Sequence, residues 1–118
     1  MVKNSDLPDI YNCSVAIIGL GYVGLPLAIA ISNNRTCKKT HKYIKRDIVG
    51  FDISVKRIEE LSSNIDKTKE ISKSELENTE IIFTSNKDKL KLADVFIVTV
   101  PTPINDKKNP DLNPLINA

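Results

Sequence analysis

The sequence is poor in several features that would assign it to a specialised class. Its two cysteines, Cys13 and Cys37, form neither a disulfide framework nor a CxxC metal half-site. No apolar run approaches the roughly 18 residues that span a bilayer, and the polar first 12 residues lack a signal peptide's apolar segment. A net charge of +2 is too small to indicate nucleic acid or an anionic membrane. We therefore expect a reduced, cytoplasmic protein with no metal, nucleic-acid or membrane partner.

The composition that remains is that of one ordinary globular domain. The chain has 118 residues, of which 41% are hydrophobic and 27% are charged, and domains of roughly 100–150 residues are the commonest size. Residues 111–118 read as the start of a new helix. We therefore expect a piece of a longer protein, with a tail at 1–12 and an incomplete domain at 13–118.

Short apolar strands alternate with helical segments along the chain. The predicted strands are 13–18, 47–53, 81–84 and 95–100, and the predicted helices are 22–33, a helix capped by Ser54, 72–78 and 88–92. The residues expected to be buried on the first two helices are Val23, Leu27, Ala30 and Ile31, and then Val55, Ile58 and Leu61. The polar, basic stretch 33–46 reads as a loop. This alternation predicts an α/β fold with a doubly wound parallel sheet of about four strands.

A glycine motif lies between the first strand and the first helix. Residues 19–24 read GLGYVG, the pattern G-x-G-x-x-G. Gly19 permits a tight turn, Gly21 lets the backbone approach a pyrophosphate, and Gly24 lets the helix pack closely on the sheet. Phosphates would lie at the helix N-terminus, where N–H groups are free. In this strand–turn–helix setting the motif predicts a Rossmann-type dinucleotide site, whose cofactor-binding residues are Gly19, Leu20, Gly21, Tyr22, Val23 and Gly24.

An acidic residue at the end of the second strand completes the pattern. Asp52 can accept hydrogen bonds from the adenosine ribose hydroxyls and would repel the 2′-phosphate of NADP, so we expect NAD as cofactor. Its distance from the motif exceeds the usual roughly 20 residues. The loop at 33–46 accounts for the excess.

Four segments, in this order, resemble the UDP-glucose/GDP-mannose dehydrogenase family. They are VAIIGLGYVGLPLA at 15–28, GFDI followed by an arginine at 50–57, FTS at 83–85, and ADVFIVTVPTPIN with PDLNPL at 93–115. GLGYVGLP combined with VPTP is far more specific than an isolated glycine motif. Within the family, the chain is most similar to the branch that oxidises UDP-N-acetylhexosamines (GlcNAc or GalNAc, Vi-antigen type).

The resemblance implies an activity for the full-length protein. Such bacterial enzymes oxidise the C6 alcohol of a UDP-sugar to a carboxylate in two NAD-dependent steps, for surface polysaccharides such as capsule or O-antigen. It also implies a homodimer. The family's catalytic cysteine and its partners would lie beyond residue 118, so we expect no catalytic residue here and no turnover by this piece. Cys13 and Cys37 are expected to be structural.

The resemblance also assigns site residues. The backbone of Tyr22 and Val23 would meet the pyrophosphate, Asp52 would hold the adenosine ribose, and Arg57 would lie beside the adenosine. The residues assigned to the nicotinamide side, after the fourth strand, are Val100, Pro101 and Thr102.

The chain departs from the family's pattern at two places. The loop at 33–46, with its lone His41, is longer and more basic than relatives carry, and we expect it to be solvated. Ser63-Asn64 stands where relatives often have glycine, and asparagine tolerates a left-handed backbone.

The alternative functions are a β-hydroxyacid dehydrogenase of the 6-phosphogluconate type and a non-catalytic NAD-sensing module. The VPTP segment and Asp52 count against the first.

Overall fold

The fold is a single parallel sheet, seen in a computed structural model that describes residues 7–100, 110 and 112–118. Its strands lie in the order β3-β2-β1-β4, and every pair is parallel. The strand bounds are β1, Asn12–Ile18; β2, Lys45–Phe51; β3, Ile82–Thr84; and β4, Val95–Val98. The predicted doubly wound parallel sheet is confirmed.

The helices follow the predicted order. Their bounds are α1, Gly24–Asn33; α2, Val55–Ser62; α3, Lys73–Glu77; a 3₁₀ helix, Lys87–Leu92; and α4, Asn113–Ile116. Ser54 caps α2 by accepting a hydrogen bond from the Arg57 N–H, as predicted. Ser72 caps α3 through a reciprocal capping box with Glu75. No helix in the described ranges is long and apolar enough to cross a membrane.

The strand order places a crevice at the carboxyl end of β1. The chain runs outward from β1 to β2 and β3, and then crosses back to β4 on the other side of β1. Ile18 pairs with Phe51 of β2 and with Val98 of β4, so the three strands end together. Ligands of open α/β sheets bind at such a point, where the connections diverge.

The core lies between the sheet and the helices, but α1 turns a different face to it than predicted. The buried face of α1 is formed by Leu25, Ala28, Ile29 and Ser32, at helical spacing, instead of the predicted Val23, Leu27, Ala30 and Ile31. Of the four predicted residues, Val23 and Ala30 are exposed, while Leu27 and Ile31 are half-buried. The helix is apolar on nearly every side, so periodicity offers no polar contrast from which to choose a face.

The buried side of α2 also differs from the prediction at one position. Leu61 is buried and Ile58 is half-buried, as predicted, but Val55 is 57% exposed. Val55 is the first helical residue and follows the last residue of β2, Phe51, by only four positions, at the rim of the crevice. Helical spacing assigns a residue to a face, but it does not show whether another element covers that end of the helix.

The loop between α1 and β2 covers residues 34–44, inside the predicted 33–46, because Asn33 ends α1 and Lys45 begins β2. Thr36 and Tyr43 form an isolated antiparallel bridge, and the exposed His41 adopts a left-handed backbone with φ of 58°. Asn64, after α2, is also left-handed, with φ of 60°. Asn64 thus adopts the left-handed backbone that asparagine tolerates better than most residues.

Candidate cofactor-binding site

The glycine turn joins the carboxyl end of β1 to the start of α1. Gly19 has a φ of 98°, which side-chain-bearing residues rarely adopt, and an added Cβ there would lie 2.9 Å from the Thr99 carbonyl oxygen. At Gly24 an added Cβ would overlap the Gly19 carbonyl oxygen and Thr99 Oγ1. Close packing of the helix on the turn therefore requires glycine at both positions.

Gly21, unlike Gly19 and Gly24, has room for a side chain. Apart from its two chain neighbours, no atom of the described residues lies within 4 Å of the position that a Cβ would take there, and its φ is not in the left-handed region. The fold itself therefore does not require glycine at this position. The open space lies where the motif needs the backbone to approach a ligand.

Unpaired donors surround that open space. In the described part of the chain, we find no hydrogen-bond acceptor for the N–H groups of Gly21, Tyr22, Val23 or Gly24. The N-cap residue Val23 supplies no side-chain cap to α1. N–H groups at a helix start, together with the helix dipole, favour an anion such as a diphosphate.

Every backbone polar group of Gly19 and Leu20, the two residues before these donors, is hydrogen-bonded. The Gly19 N–H donates to the Phe51 carbonyl (2.8 Å), and Thr99 Oγ1 donates to the Gly19 carbonyl (2.8 Å). The Leu20 N–H donates to Asp52 Oδ2 (3.0 Å), and the Leu20 carbonyl accepts from Arg57 Nε (2.8 Å). Both residues of the turn are thus held by hydrogen bonds on either side, and the N–H groups that follow them begin beside the open space at Gly21.

Asp52 lies directly after β2 and beside the turn. Its Oδ2 accepts from Leu20, and its Oδ1 accepts from the Ser54 N–H at 2.9 Å. A carboxylate oxygen has two lone-pair sites, so each oxygen can still accept a hydroxyl. The next residue, Ile53, is 82% exposed and offers an apolar surface beside the carboxylate. These residues fit a dinucleotide's diphosphate and adenosine ribose.

Arg57 is more deeply anchored than a surface helix arginine. Its side chain is only 11% exposed, and its Nη1 lies 2.9 Å from Asp66 Oδ1. A longer contact of 3.9 Å joins it to Glu60. Its Nη2 is buried and has no hydrogen-bond partner among the described residues. Its predicted place beside the adenosine stays a prediction, but the contact with the Leu20 carbonyl ties it to the glycine turn.

Sequence reasoning missed Asp66, which it placed in a polar loop without a role. Its side chain is fully buried. Besides Arg57, it accepts hydrogen bonds from the Thr68 N–H (3.0 Å) and hydroxyl (2.6 Å), and from the N–H groups of Glu70 and Ile71 (both 2.9 Å). The Asp-x-Thr spacing is typical of a side-chain-stabilised turn and was the available signal.

The hydrogen bonds to Asp66 also set its acidity. Burial raises the pKa of the carboxyl, but the hydrogen bonds from Thr68, Ile71 and Arg57 outweigh burial and lower the pKa to about 2. The charged form is thus favoured in the folded state.

This shift predicts a pH-dependent contribution to stability. Because the folded pKa lies below the unfolded one, Asp66 stabilises the fold above about pH 4 and loses that effect as the pH falls towards 2, an effect of about 2 kcal/mol. We expect the difference in unfolding free energy between the native chain and Asp66→Asn to shrink by that amount over this range. Urea unfolding at pH 7, 4, 3 and 2 measures it, and a constant difference would contradict the assignment.

The predicted nicotinamide-side residues follow β4. Val100 is half-buried two residues after the strand, which ends at Val98 instead of the predicted 100. Pro101 and Thr102 lie outside the described residues. Sequence reasoning passed over Thr99, whose N–H bonds the Ile18 carbonyl (2.8 Å) and whose hydroxyl bonds the Gly19 carbonyl.

The two cysteines lie away from this site. Cys13 is buried near the amino end of β1, opposite the glycine turn. Cys37 lies in the 33–46 loop, and hydrogen bonds from the Thr40 side chain and the Thr40 and Lys39 backbone lower its pKa to about 7. Within the described residues, no group of histidine, cysteine and acidic side chains could hold a metal ion.

Two known proteins are similar to this chain in sequence. "Protein CapL" of Staphylococcus aureus is 45% identical over 107 residues, which are 91% of this chain and 23% of that protein. "UDP-N-acetyl-D-glucosamine 6-dehydrogenase" of Pseudomonas aeruginosa is 50% identical over 105 residues, which are 88% of this chain and 22% of that protein. The chain thus spans under a quarter of the length of these relatives.

A solved structure confirms the fold, and a family model identifies the domain. The ternary complex of GDP-mannose dehydrogenase from Pseudomonas aeruginosa superposes with a TM-score of 0.72 at 22% identity, covering 87% of this chain and 23% of that one. The model of the "UDP-glucose/GDP-mannose dehydrogenase family, NAD binding domain" matches residues 13–118. This match favours the nucleotide-sugar interpretation over the β-hydroxyacid alternative. The chain belongs to the UDP-glucose/GDP-mannose dehydrogenase family, and residues 13–118 correspond to its NAD-binding domain.

Proposed function

We propose that this chain is the NAD-binding portion of a bacterial dehydrogenase that oxidises the C6 alcohol of a UDP-N-acetylhexosamine to the uronic acid. The observation that carries the proposal is the glycine turn. Gly19 and Leu20 have every backbone polar group engaged, while the following N–H groups have no acceptor within the described part of the chain and lie beside an open space. A turn held in this way is organised for a diphosphate before the ligand arrives.

The remaining groups around the turn each bind a different part of the cofactor. Asp52 accepts the adenosine ribose hydroxyls at its spare lone pairs, and the exposed Ile53 lies against the adenine. Arg57, whose buried Nη2 finds no hydrogen-bond partner among the residues described, lies beside the adenosine. The residues after β4, Val100, Pro101 and Thr102, border the nicotinamide, because they follow the strand on the other side of the crevice.

The position of Asp52 predicts a preference between the two nicotinamide cofactors. Its carboxylate lies where a 2′-phosphate would be placed, so NADPH brings two anions together, whereas NADH supplies hydroxyl donors. We expect NADH to bind at least about tenfold more tightly than NADPH, a difference of about 1.4 kcal/mol. Fluorescence titration of both cofactors measures it. Equal affinities would remove the role given to Asp52.

The substrate class of the whole protein is supported by its relatives. Three related proteins that share 45–50% identity with this chain include two named UDP-N-acetyl-D-glucosamine 6-dehydrogenase. NAD takes up one hydride at each oxidation. Converting a primary alcohol to a carboxylate removes two hydrides and adds one oxygen atom from water, so each sugar yields two NADH.

The test is an assay of the full-length protein for NADH production against UDP-GlcNAc, UDP-GalNAc, UDP-ManNAc and UDP-glucose. Two NADH per UDP-N-acetylhexosamine support the proposal. NADH binding without turnover of any sugar would favour the sensing-module alternative.

We also propose a cytoplasmic homodimer that serves capsule or O-antigen synthesis. Sedimentation of the full-length protein tests the dimer.

A further inference from the structure

The loop after α2 contains a buried carboxylate that also bonds outside the loop. Four hydrogen bonds to Asp66 come from within the segment 66–71, and they close this turn on itself. The fifth comes from Arg57 Nη1, on α2, at 2.9 Å. Because the Asp66 side chain is fully buried, this contact is shielded from water. Charge-assisted hydrogen bonds are stronger than neutral ones, and shielding strengthens them further.

Arg57 carries this contact to the glycine turn. The guanidinium is a rigid planar fork, so fixing Nη1 on Asp66 also fixes the direction in which Nε donates. That donor lies 2.8 Å from the Leu20 carbonyl oxygen. Nη2 is buried and has no hydrogen-bond partner in the ranges that the structure describes, so the contacts of Nε and Nη1 orient the guanidinium.

Holding the Leu20 carbonyl orients the next donor. The peptide bond between Leu20 and Gly21 is planar and trans, so its C=O and N–H point in opposite directions. With the carbonyl turned towards Arg57, the Gly21 N–H points away from it. No acceptor for that N–H is found in the described residues.

We propose that Asp66 is a positioning residue for the cofactor's diphosphate. Through Arg57 and the Leu20 carbonyl, it holds the peptide between Leu20 and Gly21, and the N–H of that peptide is the first of the donors that bind the diphosphate. This inference rests on the proposed NAD-binding function and deepens it. Asp66 touches no ligand itself. Its effect on binding therefore falls on the diphosphate and spares the adenosine.

The experiment compares Asp66→Asn with Thr68→Val in the full chain. Asp66→Asn removes the charge that holds Arg57. Thr68→Val removes a hydroxyl that donates to the same Asp66 oxygen, at 2.6 Å, but leaves the contact with Arg57 in place. The dissociation constants of NADH, ADP and adenosine are measured for each. We expect Asp66→Asn to weaken NADH and ADP about tenfold and adenosine less than twofold, and Thr68→Val to change all three less than twofold.

A second variant keeps the test decisive if Asp66→Asn does not fold. Arg57→Lys retains a positive charge, but a single ammonium cannot hold both the Leu20 carbonyl and Asp66 in the same geometry. We expect it to weaken NADH and ADP about tenfold as well; adenosine is not compared for this variant, because Arg57 is itself proposed to lie beside the adenosine. In the double variant, the Asp66→Asn effect should vanish, because Asp66 acts through Arg57.

The outcomes separate this inference from the proposed function. If the unsubstituted chain binds no NADH, the proposed function fails and the inference fails with it. If that chain binds NADH but Asp66→Asn binds it equally well, only the inference fails. A parallel loss of adenosine, ADP and NADH affinity in Asp66→Asn, or fully additive effects in the double variant, would also overturn it, because general destabilisation produces both.

Discussion

Gly24→Ala is expected to destabilise the domain by about 3 kcal/mol or more, a large part of the roughly 5–15 kcal/mol that typically separates a folded domain from the unfolded chain. The added methyl group would overlap the Gly19 carbonyl oxygen and Thr99 Oγ1. Neither atom can retreat freely, because the two are hydrogen-bonded to each other at 2.8 Å and Thr99 is also bound to Ile18. The helix must move away from the turn instead.

Urea unfolding followed by circular dichroism measures this loss. The matched control is Ala30→Ser, which adds one heavy atom at an exposed position on the same helix and should change stability by less than about 0.5 kcal/mol. We expect the Gly24→Ala midpoint to fall well below that of the control. Equal midpoints would mean that α1 does not pack against the turn as described.

The sheet and the glycine turn could be predicted because their signals are local. The strand at 13–18, the turn at 19–24 and Asp52 after the second strand form one pattern of fixed chemistry, and the structure places Asp52 in contact with the turn. Parallel strands flanked by helices leave few topologies, since crossovers are right-handed. The chain order therefore sufficed for the fold.

The orientation of α1 and the role of Asp66 could not be predicted for two different reasons. The apolar positions on α1 surround the helix, so the buried face depends on which neighbours the sheet brings. Asp66 lies nine residues from Arg57, and its importance depends on burial and on a contact between two elements. Sequence spacing can indicate the local Asp-x-Thr turn, but it contains no information about burial.

Thr99 illustrates the same limit at the end of β4. In the sequence it reads as the one polar residue of an apolar strand. In the structure it follows the strand and bonds the Gly19 carbonyl, 80 residues earlier. A polar residue in an apolar run indicates that some buried partner exists, because burying a hydroxyl unpaired is costly. Only the strand pairing identifies the partner.

Gly21→Ala should have the opposite effect to Gly24→Ala: the fold is retained and cofactor binding is lost. Among the residues that the structure describes, chain neighbours aside, no atom lies within 4 Å of the added methyl group, and the backbone there is not left-handed. Alanine at such a position restricts the unfolded chain, so stability should change by no more than about 1 kcal/mol in either direction. The methyl group would, however, enter the space beside the free N–H groups, where a diphosphate must approach the backbone.

We expect Gly21→Ala to weaken NADH binding about 100-fold, which corresponds to about 2.7 kcal/mol, while its urea midpoint stays close to that of Ala30→Ser. Titration calorimetry and unfolding on the same preparations measure both quantities. The pairing with Gly24→Ala makes the test specific, because one glycine is required by the fold and the other by the ligand. Unchanged NADH affinity in a folded Gly21→Ala chain would show that the cofactor does not approach this turn, and the site would have to be sought elsewhere on the sheet.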